Sequence, residues 1–471
     1  MIKRNLLFIT LNLFIGFGCK TPNPEKQPRI PFDVLKEYIQ DRTDFSYEIK
    51  DSLNFEAAKA YRVKMYSGKW LTEEIVDQPQ WWHWVDIIIP HKRDTNKGLL
   101  FIGGGSKADS IWILDSLNLS KALQSKSVIA HISNVPFQPI TFKENDTIAR
   151  YEDNLIAYGW DQFLRRGAQE KDAEWLARFP MTRAVVRGMD VIEELTADQK
   201  QPVEQFVLSG ASKRGWTTWT SAAADSRVIG MAPLVIDLLN IIPSFEHHHK
   251  VYGSWSPAVA DYVHFNIMDW MGSKEFETLL DYVEPYEFKN VFEMPKLIIN
   301  GTIDEFFVTD SWQFYYDSLP GKKYLQYVPN GNHGLAGSYN SENVFSFYDR
   351  LIHDIPIPKM DWNILPDGFE LEVDSSDEYE INLWSITNTN TRDFRIWEVG
   401  RNWQKTAIKK NKEGIYKIEA PSKDGFTASL VEVVFNTNSN NPLTLTTGTL
   451  VLPNEFAFEK YKPTNPKGSY E

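Results

Sequence analysis

Two rhythms of apolar residues divide the chain. From about residue 60, short apolar runs rich in β-branched and aromatic residues alternate with longer stretches whose apolar positions recur at helical spacing. The runs at 61–66, 84–89, 99–102, 128–132, 206–208, 228–236, 297–300 and 324–328 predict strands. The stretches at 111–123, 153–166, 181–195, 213–224, 310–318 and 342–352 predict helices between and after them. Such alternation gives βαβ units, which build a mostly parallel sheet covered on both faces, an α/β fold. Residues 238–290 break the rhythm with helical and loop-like sequence rich in aromatics, which reads as an insertion capping the carboxyl edge of the sheet.

Beyond Pro356 and Pro358 the helical period disappears. Short alternating runs at 379–384, 394–398, 415–419, 429–435 and 444–452, separated by Asn, Asp and Gly turns, predict a second, all-β unit over 365–455, of sandwich type. The α/β unit then spans 46–356, and the prolines at 356, 358 and 366 mark the boundary.

The first residues read as an address. Lys3 and Arg4 precede an apolar run at 6–17 and small residues just before Cys19, the single cysteine of the chain. The run is shorter than the roughly 20 residues a membrane-spanning helix needs. Residues 1–18 are therefore expected to be an export signal, with Cys19 as the lipid acceptor of a membrane-anchored lipoprotein; soluble secretion and a retained anchor are the alternatives. Residues 19–45 form the N-terminal segment, of which the polar, proline-containing 20–29 suits a flexible tether. With one cysteine, no intramolecular disulfide can form. Across all 471 residues, 42% are hydrophobic and 24% charged, which is ordinary globular usage. The net charge of -13 repels phosphate backbones, so no nucleic-acid partner is expected.

The candidate chemistry begins where a strand meets a helix. Ser212 follows the apolar run at 206–208 through Gly210 and Ala211, and precedes a helical stretch opened by Lys213, Arg214 and Gly215. This is the context of a nucleophile elbow, in which a sharp turn lifts a serine hydroxyl out of the sheet. Arg214 stands where a small residue is more usual, with the second glycine one position later. On such a fold the acid and then the histidine follow the serine along the chain. Asp304, in the turn after the run at 297–300, and His333, in the Gly-flanked loop after the run at 324–328, satisfy that order. Glu305 and Asp310 compete with Asp304 for the acid's place. Gly103, Gly104 and Gly105 follow the strand at 99–102, where backbone amides could face a developing oxyanion together with the amide of Lys213.

These residues sit inside longer motifs: Glu152-Asp153 with Ala157, Tyr158 and Trp160; 179–184; 210–219; Ile236-Asp237 with Leu239-Asn240; Asn300-Gly301 with 304–307; and Val328-Pro329-Asn330 with His333. In them the chain resembles the PhoPQ-activated pathogenicity-related proteins over about residues 50–450. These are α/β-hydrolase-like secreted bacterial proteins with a relative among the secreted proliferation repressors of social amoebae. The resemblance implies an α/β-hydrolase fold with a C-terminal β-sandwich, and implies no particular substrate.

Two readings follow. In the first, the protein is an exported serine hydrolase of an ester or peptide-like acyl substrate, with Ser212 attacking, His333 moving the proton and Asp304 orienting the imidazole. In the second it is a non-catalytic binding or signalling protein at the cell surface that inherited the fold. No cofactor is called for. Adjacent histidines at 247–249 rarely converge on one ion, so no metal is expected there. Arg214 and Trp216 are candidate substrate contacts; Lys213 and Arg214 could receive an acidic substrate, by analogy with glucuronoyl esterases. Trp81, Trp82 and Trp84 enter a strand, where packing is the ordinary use and a sugar-stacking platform the alternative.

Overall fold

The computed structural model describes residues 30–144, 148–335, 340–437 and 441–470. The expected export signal, Cys19 and the tether at 20–29 lie outside them. Helix α1 (Pro31–Gln40) opens the described chain, with Pro31 suiting its first turn and Phe32, Leu35 and Ile39 buried on one face. An antiparallel meander follows: β1 (Ser46–Asn54), β2 (Ala58–Lys69) and β3 (Gln80–Pro90).

The βαβ part then runs β4 (Lys97–Ile102), α2 (Ser116–Ser125), β5 (Val128–Ile132), the short pair β6 (Ile140–Thr141) and β7 (Ala149–Arg150), α3 (Glu152–Arg165), α4 (Arg178–Thr196), β8 (Gln205–Ala211), α5 (Lys213–Ala224) and β9 (Val228–Leu234). The insertion contributes α6 (Ile241–Tyr252), α7 (Ala260–His264) and α8 (Lys274–Val283). The chain returns to the sheet with β10 (Lys296–Gly301) and β11 (Lys323–Val328), and α9 (Asn340–Ile352) follows.

Nine strands form one sheet in the order β1-β2-β3-β5-β4-β8-β9-β10-β11. The six from β5 to β11 are parallel, and the meander supplies the antiparallel edge. Helices cover both faces, so the central strands carry apolar side chains without alternation; every residue of β10 is buried. Register sets the working edge. Ala211 pairs with Leu234 and Gly301 with Val328, so the loops after β8, β10 and β11 open side by side at the carboxyl ends of the strands.

The C-terminal part holds β12 (Lys359–Leu365), β13 (Gly368–Asp374), β14 (Tyr379–Asn388), α10 (Ile396–Val399), β15 (Gln404–Ile408), β16 (Ile415–Glu419), β17 (Phe426–Phe435), β18 (Leu443–Thr446) and β19 (Leu450–Leu452). They form two antiparallel sheets, β12-β13-β16 and β15-β14-β17-β18, with β19 also on β17. Phe369 and Leu371 of the first sheet and Ile381, Leu383, Val431 and Val433 of the second share one apolar cluster. That cluster also contains Leu297, Ile299, Val344 and Phe347, so the sandwich and the larger unit are joined through a continuous core.

Local signals misled in four places. The helix expected at 111–123 begins only at Ser116, because Asp115 caps it by accepting from the amides of Leu117 and Asn118, while Ile111 and Ile113 stand exposed before it. The stretch at 310–318 forms two short 3-10 turns. The strand expected at 394–398 is a single helical turn, started by the Asp393 carboxylate accepting from the Arg395 amide at 2.9 Å. The run at 444–452 breaks into β18 and β19 at Gly448, where a Cβ would come within 2.1 Å of the Trp312 ring.

Candidate active site

Ser212 stands between β8 and α5 with φ 57° and ψ -124°, a conformation that only a tightly determined turn imposes on a side chain. The surrounding glycines explain how the turn closes. A Cβ on Gly210 would lie 2.7 Å from the Arg214 carbonyl oxygen, and one on Gly215 would lie 2.8 Å from the Leu234 carbonyl oxygen. The glycine three residues after the serine therefore lets α5 approach β9 closely. Arg214 needs no such approach, because its side chain turns away: its Nε donates to the Val135 carbonyl at 2.6 Å and its Nη2 pairs with Glu152.

His333 reaches the elbow from the loop after β11. Its Nε2 is 2.9 Å from Ser212 Oγ, and its Nδ1 is 2.9 and 3.1 Å from the two carboxylate oxygens of Asp304. Asp304 is buried in the turn after β10, and its Oδ1 also accepts from the Phe306 amide at 2.7 Å. The Phe306 ring lies against the imidazole, with centroids 4.0 Å apart. Gly301 lets the two loops meet, since a Cβ there would sit 2.4 Å from the Gly331 carbonyl oxygen.

The two competing acids have other partners. Glu305 accepts from the His333 amide at 2.7 Å and from Asn332 Nδ2 at 3.1 Å, so it braces the loop without touching the imidazole nitrogens. Asp310 is buried between His247 Nε2 at 2.7 Å and Arg392 Nη2 at 2.8 Å. The other two histidines of that run point elsewhere: His248 Nε2 accepts from the Ser256 amide, and His249 Nδ1 donates to the Glu459 carbonyl.

The glycine run corrects part of the oxyanion expectation. The Gly103 amide donates to the Ile132 carbonyl at 2.7 Å, extending the β4–β5 ladder by one bond, and is thereby spent. Gly104 lies over the Arg214 guanidinium, and Gly105 has φ 133°. The Lys213 amide belongs to the first residue of α5, directly after Ser212.

Beside Ser212 lies a small cavity of about 40 Å³ walled mainly by aromatic and aliphatic side chains, among them Trp160, Trp216, Phe245, Tyr262, Phe306 and Phe307. Trp216 lines it, held by its Nε1 donating to the Val283 carbonyl at 2.6 Å. Arg214 does not line it; Val135 and Glu152 keep its guanidinium away. Lys213, Asp153 and Arg178 do. Lys213 Nζ pairs with Glu152 at 2.9 Å and with Asp153 at 3.0 Å, and Arg178 Nη1 donates to the Lys213 carbonyl at 2.7 Å. Burial opposes the charge on Glu152, yet Arg214 and Lys213 outweigh it and hold this carboxyl down to about 2. Arg178 and Tyr262 carry no local motif and went unnoticed in the sequence. At the start of β3, beside the carboxyl end of β5, Trp81 is buried, whereas Trp82 and Trp84 are half-buried under the cations of Lys64 and Arg62.

The solved structures with similar folds include an acetyl xylan esterase from Paenibacillus sp., 11% identical, matching 70% of this chain and 96% of that one with a TM-score of 0.49. Acetyl xylan esterase 1 from Thermoanaerobacterium sp. is 13% identical over 67% of this chain and 91% of that one, with a TM-score of 0.47. In sequence, autocrine proliferation repressor protein A of Dictyostelium discoideum is 31% identical, covering 92% of this chain and 93% of its own length. A profile of the PhoPQ-activated pathogenicity-related proteins matches residues 35–395. With three quarters of its length inside that profile, and with the sheet order and carboxyl-edge loops described above, the chain belongs to the PhoPQ-activated pathogenicity-related protein family, on an α/β-hydrolase fold.

Proposed function

We propose that this protein is an exported serine hydrolase that cleaves an ester or peptide-like acyl bond. The observation that carries the reading is the hydrogen-bonded chain from Ser212 Oγ through His333 to Asp304, with both links at 2.9 Å, mounted on a positive-φ turn. In this reading the Asp304 carboxylate accepts from His333 Nδ1–H, which fixes the tautomer and leaves Nε2 with a lone pair for the serine proton. Ser212 Oγ adds to the acyl carbon, the Lys213 amide donates to the resulting oxyanion, and His333 returns the proton to the leaving group as the acyl-enzyme forms. Water then repeats the sequence, with His333 as base, and frees the acid. Export and lipid attachment at Cys19 belong to the same proposal, on the pattern of residues 1–19.

A fluorophosphonate probe tests the reading. Wild-type protein should be labelled, and Ser212→Ala should not; absence of labelling on folded wild-type protein refutes the enzyme. That outcome would favour the second reading, a binding or signalling protein on a hydrolase scaffold, which the name of the Dictyostelium relative, an autocrine proliferation repressor, supports.

A further inference from the structure

The wall of the cavity beside Ser212 carries a buried cation that sits in no ion pair, with only the Tyr262 hydroxyl and the more distant charge of Asp153 in its favour. Arg178 is 2% exposed and lines the cavity, and its guanidinium lies 4.6 Å from the Trp216 ring centroid. One nitrogen, Nη1, is used by the Lys213 carbonyl, and Nε is buried with no hydrogen-bond partner. The carboxylates nearby are taken. Glu152 is held by Lys213 and Arg214, while Asp153 gives one oxygen to Lys213 and accepts from the Tyr262 hydroxyl at 3.3 Å with the other. Among the described residues Arg178 forms no ion pair, so this cluster sets three cations against two carboxylates. An unpaired buried guanidinium is costly, and an anion delivered by a ligand would relieve that cost.

The cavity's size says which part of a substrate belongs there. At about 40 Å³ it holds roughly three or four water-sized volumes, room for a short chain and no more. A leaving group must depart to solvent, whereas the acyl part stays on the serine through the covalent intermediate; a narrow recess touching the nucleophile suits the part that stays.

We propose that this cavity selects a short acyl chain ending in a carboxylate, of malonyl or succinyl size, and that Arg178 is the specificity residue that receives the carboxylate. The inference rests on the reading of Ser212 as nucleophile. The apolar walls pack on the methylene groups, and the guanidinium supplies donors in the planar arrangement that carboxylates accept. Bulk charge works the other way, since a protein of net charge -13 repels anions, so any preference for them must arise locally.

Proton release from monoethyl malonate and monoethyl succinate, compared with ethyl propionate and ethyl butyrate, tests this. Wild-type protein should favour the acidic esters at least tenfold in kcat/KM. Arg178→Met should reduce that ratio at least tenfold, mainly through KM, and Arg178→Lys should restore part of it. Because Arg178 also supports the Lys213 carbonyl, the fluorophosphonate labelling rate of each variant reports the condition of the elbow separately. A wild-type preference for neutral esters, or a ratio unchanged in Arg178→Met, overturns the proposal. Should the probe fail to label wild-type protein, calorimetry with succinate separates the two ideas: binding lost in Arg178→Met upholds the carboxylate site while the nucleophile falls, and no binding to wild-type protein removes the site as well.

Discussion

Trp403, in the C-terminal sheet region, holds Asn330, three residues before His333. The Trp403 amide donates to Asn330 Oδ1 at 2.9 Å, and Asn330 Nδ2 donates back to the Trp403 carbonyl at 3.4 Å. Arg401 adds a bond to the Asn330 carbonyl and one to Asn332 Oδ1 at 3.2 Å. The β-sandwich region thus grips the loop that aims the imidazole.

Asn330 has φ 61°, where asparagine is tolerated and most side chains are not. Asn330→Gly keeps the backbone and the Arg401 bonds and removes the two bonds to Trp403; it should slow fluorophosphonate labelling about tenfold or more, because small displacements of a catalytic group are costly. Asn330→Ala adds backbone strain of roughly 1–2 kcal/mol and should also lower the melting temperature. Equal labelling rates in Asn330→Gly and wild-type protein would show that the loop is held without the Trp403 bonds.

Glu305 clamps the same loop from the other side. Glu305→Ala removes the acceptor of the His333 amide and of Asn332 Nδ2, and should lower kcat about tenfold while leaving Asp304 bonded to the imidazole. Stopped-flow labelling checks it, and a loss as deep as that of Asp304→Asn, about 10⁴-fold, would mean that Glu305 and not Asp304 is the acid of the triad.

Asp310 ties the insertion to the β-sandwich region through His247 and Arg392. Burial opposes its charge, but Arg392 and His247 hold the carboxyl well below its ordinary range. Removing one partner of such a buried set strands the others, so Asp310→Asn should cost about 3–5 kcal/mol in denaturant unfolding. A loss within 1 kcal/mol would show that the set is energetically neutral.

Asp237 sets a pH dependence. Burial pushes its carboxyl up to about 7, helped by the charges of Asp304 and Asp310, against the pull of hydroxyl bonds from Tyr315 at 2.6 Å and from Tyr327. A folded value above the unfolded one means that the stabilisation is full below about pH 4 and is lost as pH rises towards 7. Asp237→Asn cannot ionise, so its stability profile should be flatter than that of wild-type protein across this window. Parallel profiles from urea unfolding at pH 4.5 and 7 would place the proton elsewhere.

How much of this was legible depends on what each residue's role rests upon. The elbow, the order Ser212, Asp304, His333, and the central sheet were readable because they depend on neighbours in the chain: small residues where a turn is tight, apolar runs where strands are buried on both faces, loops after strands. The false strand at 394–398 shows where that grammar ends, since the Asp393 side chain redirected the backbone in a way no periodicity encodes.

The sequence named Asp304 with Glu305 and Asp310 as competitors; what separates Asp304 from Glu305 is tertiary, because adjacent residues differ only in where the turn aims them, one towards the imidazole and the other towards its backbone. The same holds for Arg178. Nothing at the start of α4 distinguishes it from a surface cation; it becomes an unpaired buried charge only when α3, α4, α5 and the insertion close around Ser212, with Glu152 and Asp153 bonded to its neighbours. Chain order therefore determined which groups could meet at the carboxyl edge, and packing alone decided which charges were left outside any ion pair, since pairing depends on distances across helices that meet only in the folded molecule.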